Sequence, residues 1–179
     1  HDFLDDYQQQ TRNQGWLSLS WYAEPAPGKS FAINTSIPRI MQSDLVAFVD
    51  DDHRVDEEYL VSIGKAADDH PEATLFCGRI LPDWDGSEPP WVHDEGPYKI
   101  YPLPIPRQEL GPTPRSVTID TGPLPGGGNL VLRTEVFNRV AGFSTDLGPK
   151  GHDLGGGEDS AFIANTLNKG EKLQYIPDI

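Results

Sequence analysis

Two groups of acidic residues carry most of the chemistry that this chain could do. The first, Asp50-Asp51-Asp52, directly follows the apolar run Leu45–Val49. Adjacent carboxylates repel one another, and each favours water or a counter-ion. A short continuous apolar run reads as a strand buried on both faces. Ligands of open α/β sheets bind beyond the carboxyl ends of such strands. There Asp50 and Asp52, two residues apart, can share one cation, or hold a cation and a sugar hydroxyl. Mg2+ or Mn2+ held by one or two carboxylates keeps positions open for diphosphate oxygens. The plainer alternative is a solvated acidic turn ahead of a helix capped by Asp56.

The second group ends the segment Gly155-Gly156-Gly157-Glu158-Asp159. Acids are ordinary in the first turn of a helix, yet one carboxylate there could also remove a proton from an attacking hydroxyl. The glycines let backbone approach a ligand closely, or let the loop move. Between the two groups lies Pro125-Gly126-Gly127-Gly128-Asn129. No Gly-Lys-Ser/Thr follows it, so it is not a P-loop, and it does not match the dinucleotide fingerprint. It is either a flexible turn before a strand or a close backbone wall for a sugar or pyrophosphate.

The elements that must position these groups alternate in type. Phe3, Leu4 and Tyr7 have helical spacing that Gly15 can stop, and Leu17, Leu19 and Trp21 alternate as a strand would. A second helix is expected from Ser30 to Met41 despite Pro38, then the strand at 45–49 and a helix carrying Tyr59, Leu60, Ile63 and Ala67. Strands are expected at 74–81, 129–133 and 172–176, a short helix capped by Thr134, and a helix from Glu158 to Lys169. This alternation predicts one α/β domain with a mainly parallel sheet flanked by helices. Eleven of the 17 prolines fall between Pro82 and Pro125, so residues 82–125 read as one long binding loop or lid.

Composition narrows the partners. The 179 residues suffice for one core, and 14 Lys and Arg against 28 Asp and Glu give a net charge of −14. Such a surface repels phosphate backbones, which excludes nucleic acid as a partner. An anionic nucleotide then needs a local cation, and a carboxylate-held divalent metal is the simplest one. Cys77 is the one cysteine, so no internal disulfide forms and nothing points to an oxidising compartment. No membrane-spanning run is visible.

Taken in order, several segments resemble the family 2 glycosyltransferases, which have the GT-A fold. They are Gly28-Lys29-Ser30-Phe31-Ala32-Ile33-Asn34, Ala47-Phe48-Val49-Asp50-Asp51-Asp52, Gly126-Gly127-Gly128-Asn129-Leu130, Ala141-Gly142-Phe143 and Gly157-Glu158-Asp159. The closing Gly170-Glu171-Lys172-Leu173-Gln174-Tyr175-Ile176-Pro177 is similar to the family's last core strand. The resemblance runs from about Trp16 to the end. It implies an inverting transfer from a UDP- or GDP-sugar type donor to a hydroxyl of a glycan, lipid-linked or protein acceptor, assisted by Mn2+ or Mg2+. Asp50 and Asp52 would be the metal ligands and Asp159 the catalytic base. Lys29, Asp51, Gly127, Gly128 and Asn129 would bind the nucleotide-sugar, and Glu158 and Trp91 the acceptor. The implied location is cytoplasmic, with any membrane association made through segments outside this chain. The family begins with a nucleotide-reading strand, a helix and a second strand. None of these precedes His1, so this stretch reads as a partial catalytic domain and base recognition is not assigned. Many relatives also carry a histidine just after the closing strand, beyond Ile179, and often Arg where this chain has Ile33.

Other residues have plainer readings. Trp84 and Trp91 could stack on sugars or could pin the loop to the body. His53 could assist the metal, but reads more simply as a surface histidine, and His152-Asp153 reads as part of a lid. Cys77 reads as a core residue. The competing class is a non-catalytic carbohydrate- or calcium-binding domain in which the same acids hold ions. A metal-dependent phosphohydrolase ranks last, because only five histidines occur and they are scattered.

Overall fold

The computed structural model describes residues 2–15, 18–93, 96–100, 105, 107–148 and 156–179. Among them are five strands: β1 (Leu45–Val49), β2 (Leu75–Cys77), β3 (Arg115–Val117), β4 (Asn129–Arg133) and β5 (Leu173–Tyr175). Four helices accompany them: α1 (Asp2–Asn13), α2 (Lys29–Ile40), α3 (Tyr59–Asp69) and α4 (Glu158–Asn168). The strands form one sheet in the order β1-β4-β2-β5-β3.

Side-chain alternation along the strands divides the core into two layers. Leu75, Cys77, Leu130 and Leu132 face one side, where Phe143, Phe162 and Ile163 cover them and Ile33 of α2 packs against the edge. Phe76 and Val131 face the other side, against Tyr59, Ile63, Ala66 and Ala67 of α3. The sheet therefore lies between α2 and α4 on one face and α3 on the other. Phe143 stacks on Phe162 at 4.1 Å between centroids, which joins the loop after β4 to α4.

The sheet is α/β but mixed, which corrects the mainly parallel sheet expected from the sequence. Only β2 and β5 pair in parallel, while β1–β4, β2–β4 and β3–β5 are antiparallel. The reason lies in the proline-rich segment. A parallel return needs a crossover, usually a helix, and no α-helix is described between β2 and β4. The chain comes back reversed, and β4 inserts between β1 and β2. The same segment contributes β3, a strand of three residues at the sheet edge, where nearby Pro112 and Pro114 are tolerated. An isolated bridge between Ile80 and Gln108 ties it down further.

Other expectations shift at their ends. Strands expected at 74–81 and 172–176 are three residues each. The turn after β4 is a 3-10 helix, Thr134–Asn138, and Thr134 donates its hydroxyl to the Ser43 carbonyl rather than capping it. Residues 18–22 pair with no strand among the described residues. Instead Gln8 Nε2 donates to the Leu19 carbonyl at 2.6 Å, Trp21 Nε1 to Asp5 at 3.1 Å, and Arg39 lies over the Tyr22 ring. Leu17 and His152-Asp153 lie outside the described residues. Among those described, no helix is long and apolar enough to cross a membrane.

Candidate active site

The register of β1 on β4 builds one wall of the site. Val49 faces Asn129, so the chain leaves β1 with Asp50 beside Gly128. A turn then forms in which the His53 amide donates to the Asp50 carbonyl at 3.1 Å. His53 Nδ1 bonds to the Gly128 carbonyl at 3.0 Å. A carbonyl only accepts, so Nδ1 carries a proton and Nε2 is the ring nitrogen left to face Asp52. That nitrogen lies 3.7 Å from Asp52 Oδ1. A Cβ at Gly128 would collide with the His53 ring and reach 3.0 Å from Asp50 Oδ2, so this contact requires glycine.

The second acidic group arrives on α4 and meets the first at a single ammonium. Lys29 Nζ, at the start of α2, lies 2.9 Å from Asp50 Oδ1 and 3.2 Å from Asp159 Oδ2. The Gly127 amide also donates to Asp159 Oδ2, at 3.0 Å, and a Cβ at Gly127 would run into that carboxylate. Burial alone would lower the Lys29 pKa. The hydrogen bond that the ammonium donates to Asp50 and the charges of Asp159 and Asp50 outweigh it, so the pKa lies above its ordinary value and the ammonium stays charged.

Burial separates the two groups. Asp52 leaves 83% of its side chain exposed, Asp159 15%. Glu158 is buried, and Gly148 lies so close over it that an added Cβ would come within 2.9 Å. Among the described residues, Asp159 Oδ1, Glu158 Oε2 and Ser30 Oγ are buried with no hydrogen-bond partner. Buried polar atoms are rarely left so, and each such atom calls for a partner.

The open end of the site holds a candidate set of metal ligands. Asp50, Asp52 and His53 each offer one ligand atom within 4.8 Å of one another. Ligands about 2.1 Å from one ion lie at most about 4.2 Å apart, so holding one ion would require the exposed Asp52 to turn inward. The His53 ring is oriented as metal-binding histidines are, with its other nitrogen donating to a carbonyl.

Of the residues singled out from the sequence, Lys29, Asp50, Gly127, Gly128 and Asp159 converge directly, with Asp52 at the rim. Asp51 is exposed in the turn. Asn129 belongs to the framework. It accepts from Tyr59 Oη at 3.1 Å and donates to the Arg79 and Ile179 carbonyls, so its amide is fully engaged. Glu158 is buried rather than presented to an acceptor. Trp91 is half exposed in the 3-10 turn Pro90–Val92, and among the described residues no hydrogen bond, ion pair or ring contact ties it to the cluster. The proline-rich segment does reach the rim: Asp83 pairs with Arg54 at 3.0 Å, and Trp84 packs on His93. A recess of about 720 Å3 between α2 and α4, lined by Asn34, Phe143, Phe162 and Asn165, contains none of the clustered acids. His53 is half-buried at the close of the turn that Asp50 begins, a position that its place in the sequence signals. The bridging of the two acids by Lys29 depends on a pairing across 130 residues, which spacing along the chain does not reveal.

No family model matches the chain, and no curated protein or solved structure matches it either.

Proposed function

We propose that this chain carries the catalytic centre of an inverting, metal-dependent glycosyltransferase of the GT-A type, as its motifs suggest. The observation that supports this reading best is the convergence of two acidic groups, distant in sequence, on one ammonium at the end of β1. One group is open and has a histidine beside it; the other is desolvated and has an oxygen to spare. That division suits a reaction needing a cation at one end and a proton acceptor at the other.

The donor is a UDP- or GDP-sugar, and the acceptor a hydroxyl of a glycan, lipid-linked or protein substrate. Asp50, Asp52 and His53 would hold Mn2+, with Mg2+ the weaker choice. When bound, the metal supplies charge that offsets what builds on the departing diphosphate. Asp159 takes the proton of the acceptor hydroxyl as its oxygen attacks the anomeric carbon. The bond from that carbon to the diphosphate breaks, and its electron pair leaves with the phosphate. Gly127 and Gly128 let the backbone stand close to these groups, which larger residues would block. A lone, buried cysteine fits a cytoplasmic setting, at the face of a membrane if other segments provide the attachment.

The test is nucleoside diphosphate release from a panel of UDP- and GDP-sugars, with Mn2+ and with a chelator. Metal-dependent release that Asp159→Asn abolishes is expected, with inverted anomeric configuration in the product. Release by no donor in the panel would exclude the reading.

A further inference from the structure

Lys29 occupies an unfavourable position for a cation. It is the first residue of α2, and no acid shares that first turn. The dipole at a helix start disfavours positive charge. What holds the ammonium there is a pair of carboxylates from elsewhere in the chain, Asp50 at 2.9 Å and Asp159 at 3.2 Å. The helix that presents it is itself fixed. Asn34 donates to the Phe143 carbonyl and accepts from the Phe143 amide, both at 2.8 Å, as a neighbouring strand would. Gly142 lies so close to this amide that a Cβ would collide with it.

The two oxygens of Asp159 are treated differently. Oδ2 receives both the Lys29 ammonium and the Gly127 amide. Oδ1 is buried and, among the described residues, receives nothing. A carboxylate gripped by two donors on one oxygen cannot rotate without losing both, so its bare oxygen faces one direction.

We infer that Lys29 is a positioning residue for Asp159: by bridging Asp50 and Asp159 it fixes the carboxylate so that Oδ1, and not Oδ2, takes the proton of the acceptor. The inference rests on the transferase reading. Lys29 keeps its own protons and touches no reacting atom. The proton passes from the acceptor hydroxyl to Oδ1, the acceptor oxygen bonds to the anomeric carbon, and the diphosphate leaves with the electron pair of the broken bond. The same ammonium couples the acid that would face the metal to the acid that would face the acceptor.

The bridge and its role are tested separately, on the protein at its full natural length. The bridge is read by the NMR signal of the Lys29 ammonium, identified by its loss in Lys29→Met. Asp159→Asn and Asp50→Asn are each expected to shift or broaden that signal. The role is read by turnover of UDP-glucose and GDP-mannose with Mn2+. Lys29→Met is expected to lower kcat roughly 100-fold, the scale of a misplaced catalytic group, while donor KM stays within about threefold. Lys29→Arg keeps the charge at the helix start, so retained folding with partial activity separates position from stability. Lys29→Cys alkylated with 2-bromoethylamine rebuilds an amine of nearly the original length and is expected to restore most of kcat. Cys77 does not interfere, because burial pushes its thiol up to about 12 and no solvent reaches it. An ammonium signal indifferent to Asp159→Asn overturns the bridge. A Lys29→Met loss lying wholly in KM, or no recovery on alkylation, overturns the positioning role. If the wild-type protein turns over neither these two nor any other donor of the UDP- and GDP-sugar panel, the transferase reading fails and the proton-accepting role fails with it, while the ammonium signal still decides whether the bridge exists.

Discussion

Asp52 leaves 83% of its side chain in water, whereas Asp159, drawn to the same edge of the sheet, leaves 15%. Both are aspartates that follow or precede a turn rich in small or acidic residues, and in sequence they look alike. Their surroundings divide the chemistry. A hydrated carboxylate can exchange water for a metal at little cost, and its neighbours Asp50 and His53 offer further ligand atoms. A carboxylate held away from water, with one oxygen doubly hydrogen-bonded and the other bare, suits proton transfer in a fixed direction. What separates them is the sheet: the β1–β4 register leaves one group on an exposed turn, while α4 delivers the other beneath the glycine-rich loop.

The contrast can be broken from either side. Asp159→Asn is expected to cost roughly a thousandfold or more in transfer, the scale of a lost general base, while Mn2+ affinity measured by calorimetry holds. Equal loss of both would mean that the two groups are one metal site. Next in size, His53→Ala should weaken Mn2+ binding roughly 10- to 100-fold without changing the fold seen by circular dichroism. Unaltered affinity would return His53 to the role of a turn residue.

Gly128→Ala sharpens the comparison sterically. Its methyl meets the His53 ring and Asp50, and an unfolding free energy lowered by about 1–3 kcal/mol is expected. Gly126→Ala in the same loop meets nothing within 4 Å and should be near neutral. A small effect is also expected at Arg139, which pairs with Glu171 and Glu135. Arg139→Ala should cost about 1 kcal/mol, because the guanidinium is half-exposed while the Glu171 side chain it would leave unpaired is only 9% exposed. The hydrogen bond from Arg139 holds the Glu171 carboxyl below its ordinary 4.5. Its contribution is therefore present above that value and lost as pH falls through the lower folded one, so the wild-type and variant melting curves should converge in acid.

Much of this architecture is legible in the residues. The apolar runs within 45–49 and 129–133 mark β1 and β4 as strands, but only β4 is buried on both faces. β1 lies at the sheet edge, half-exposed and ending in the exposed Val49, and edge position is not written in an apolar run. Tyr59, Ile63 and Ala67 are spaced for the face that α3 buries. The triple aspartate marked the first group for the same reason that it is costly, its mutual repulsion. Strand direction was not legible, because it depends on what lies between β2 and β4 rather than on either strand. Arg115–Val117 was hidden in a proline-rich stretch, since a three-residue edge strand has too few alternations to carry a pattern. Leu19 and Trp21 alternate correctly but found α1 in place of a sheet edge. The bridging by Lys29 could not be read either, as it joins three elements whose meeting only the folded chain defines.

The central claim is that these two acidic groups form one site for a nucleotide-sugar and a metal, with divided roles. Thermal melting of the protein with UDP or GDP, each with and without Mn2+, tests it most directly alongside Asp52→Asn and Asp159→Asn. A ligand bound only by the folded state raises the midpoint by mass action. One nucleotide should stabilise the wild type only when Mn2+ is present, Asp52→Asn should lose that effect, and Asp159→Asn should keep it. If Mn2+ alone stabilises and neither nucleotide adds to it, the claim is contradicted, and the acids belong to an ion-binding domain that transfers nothing.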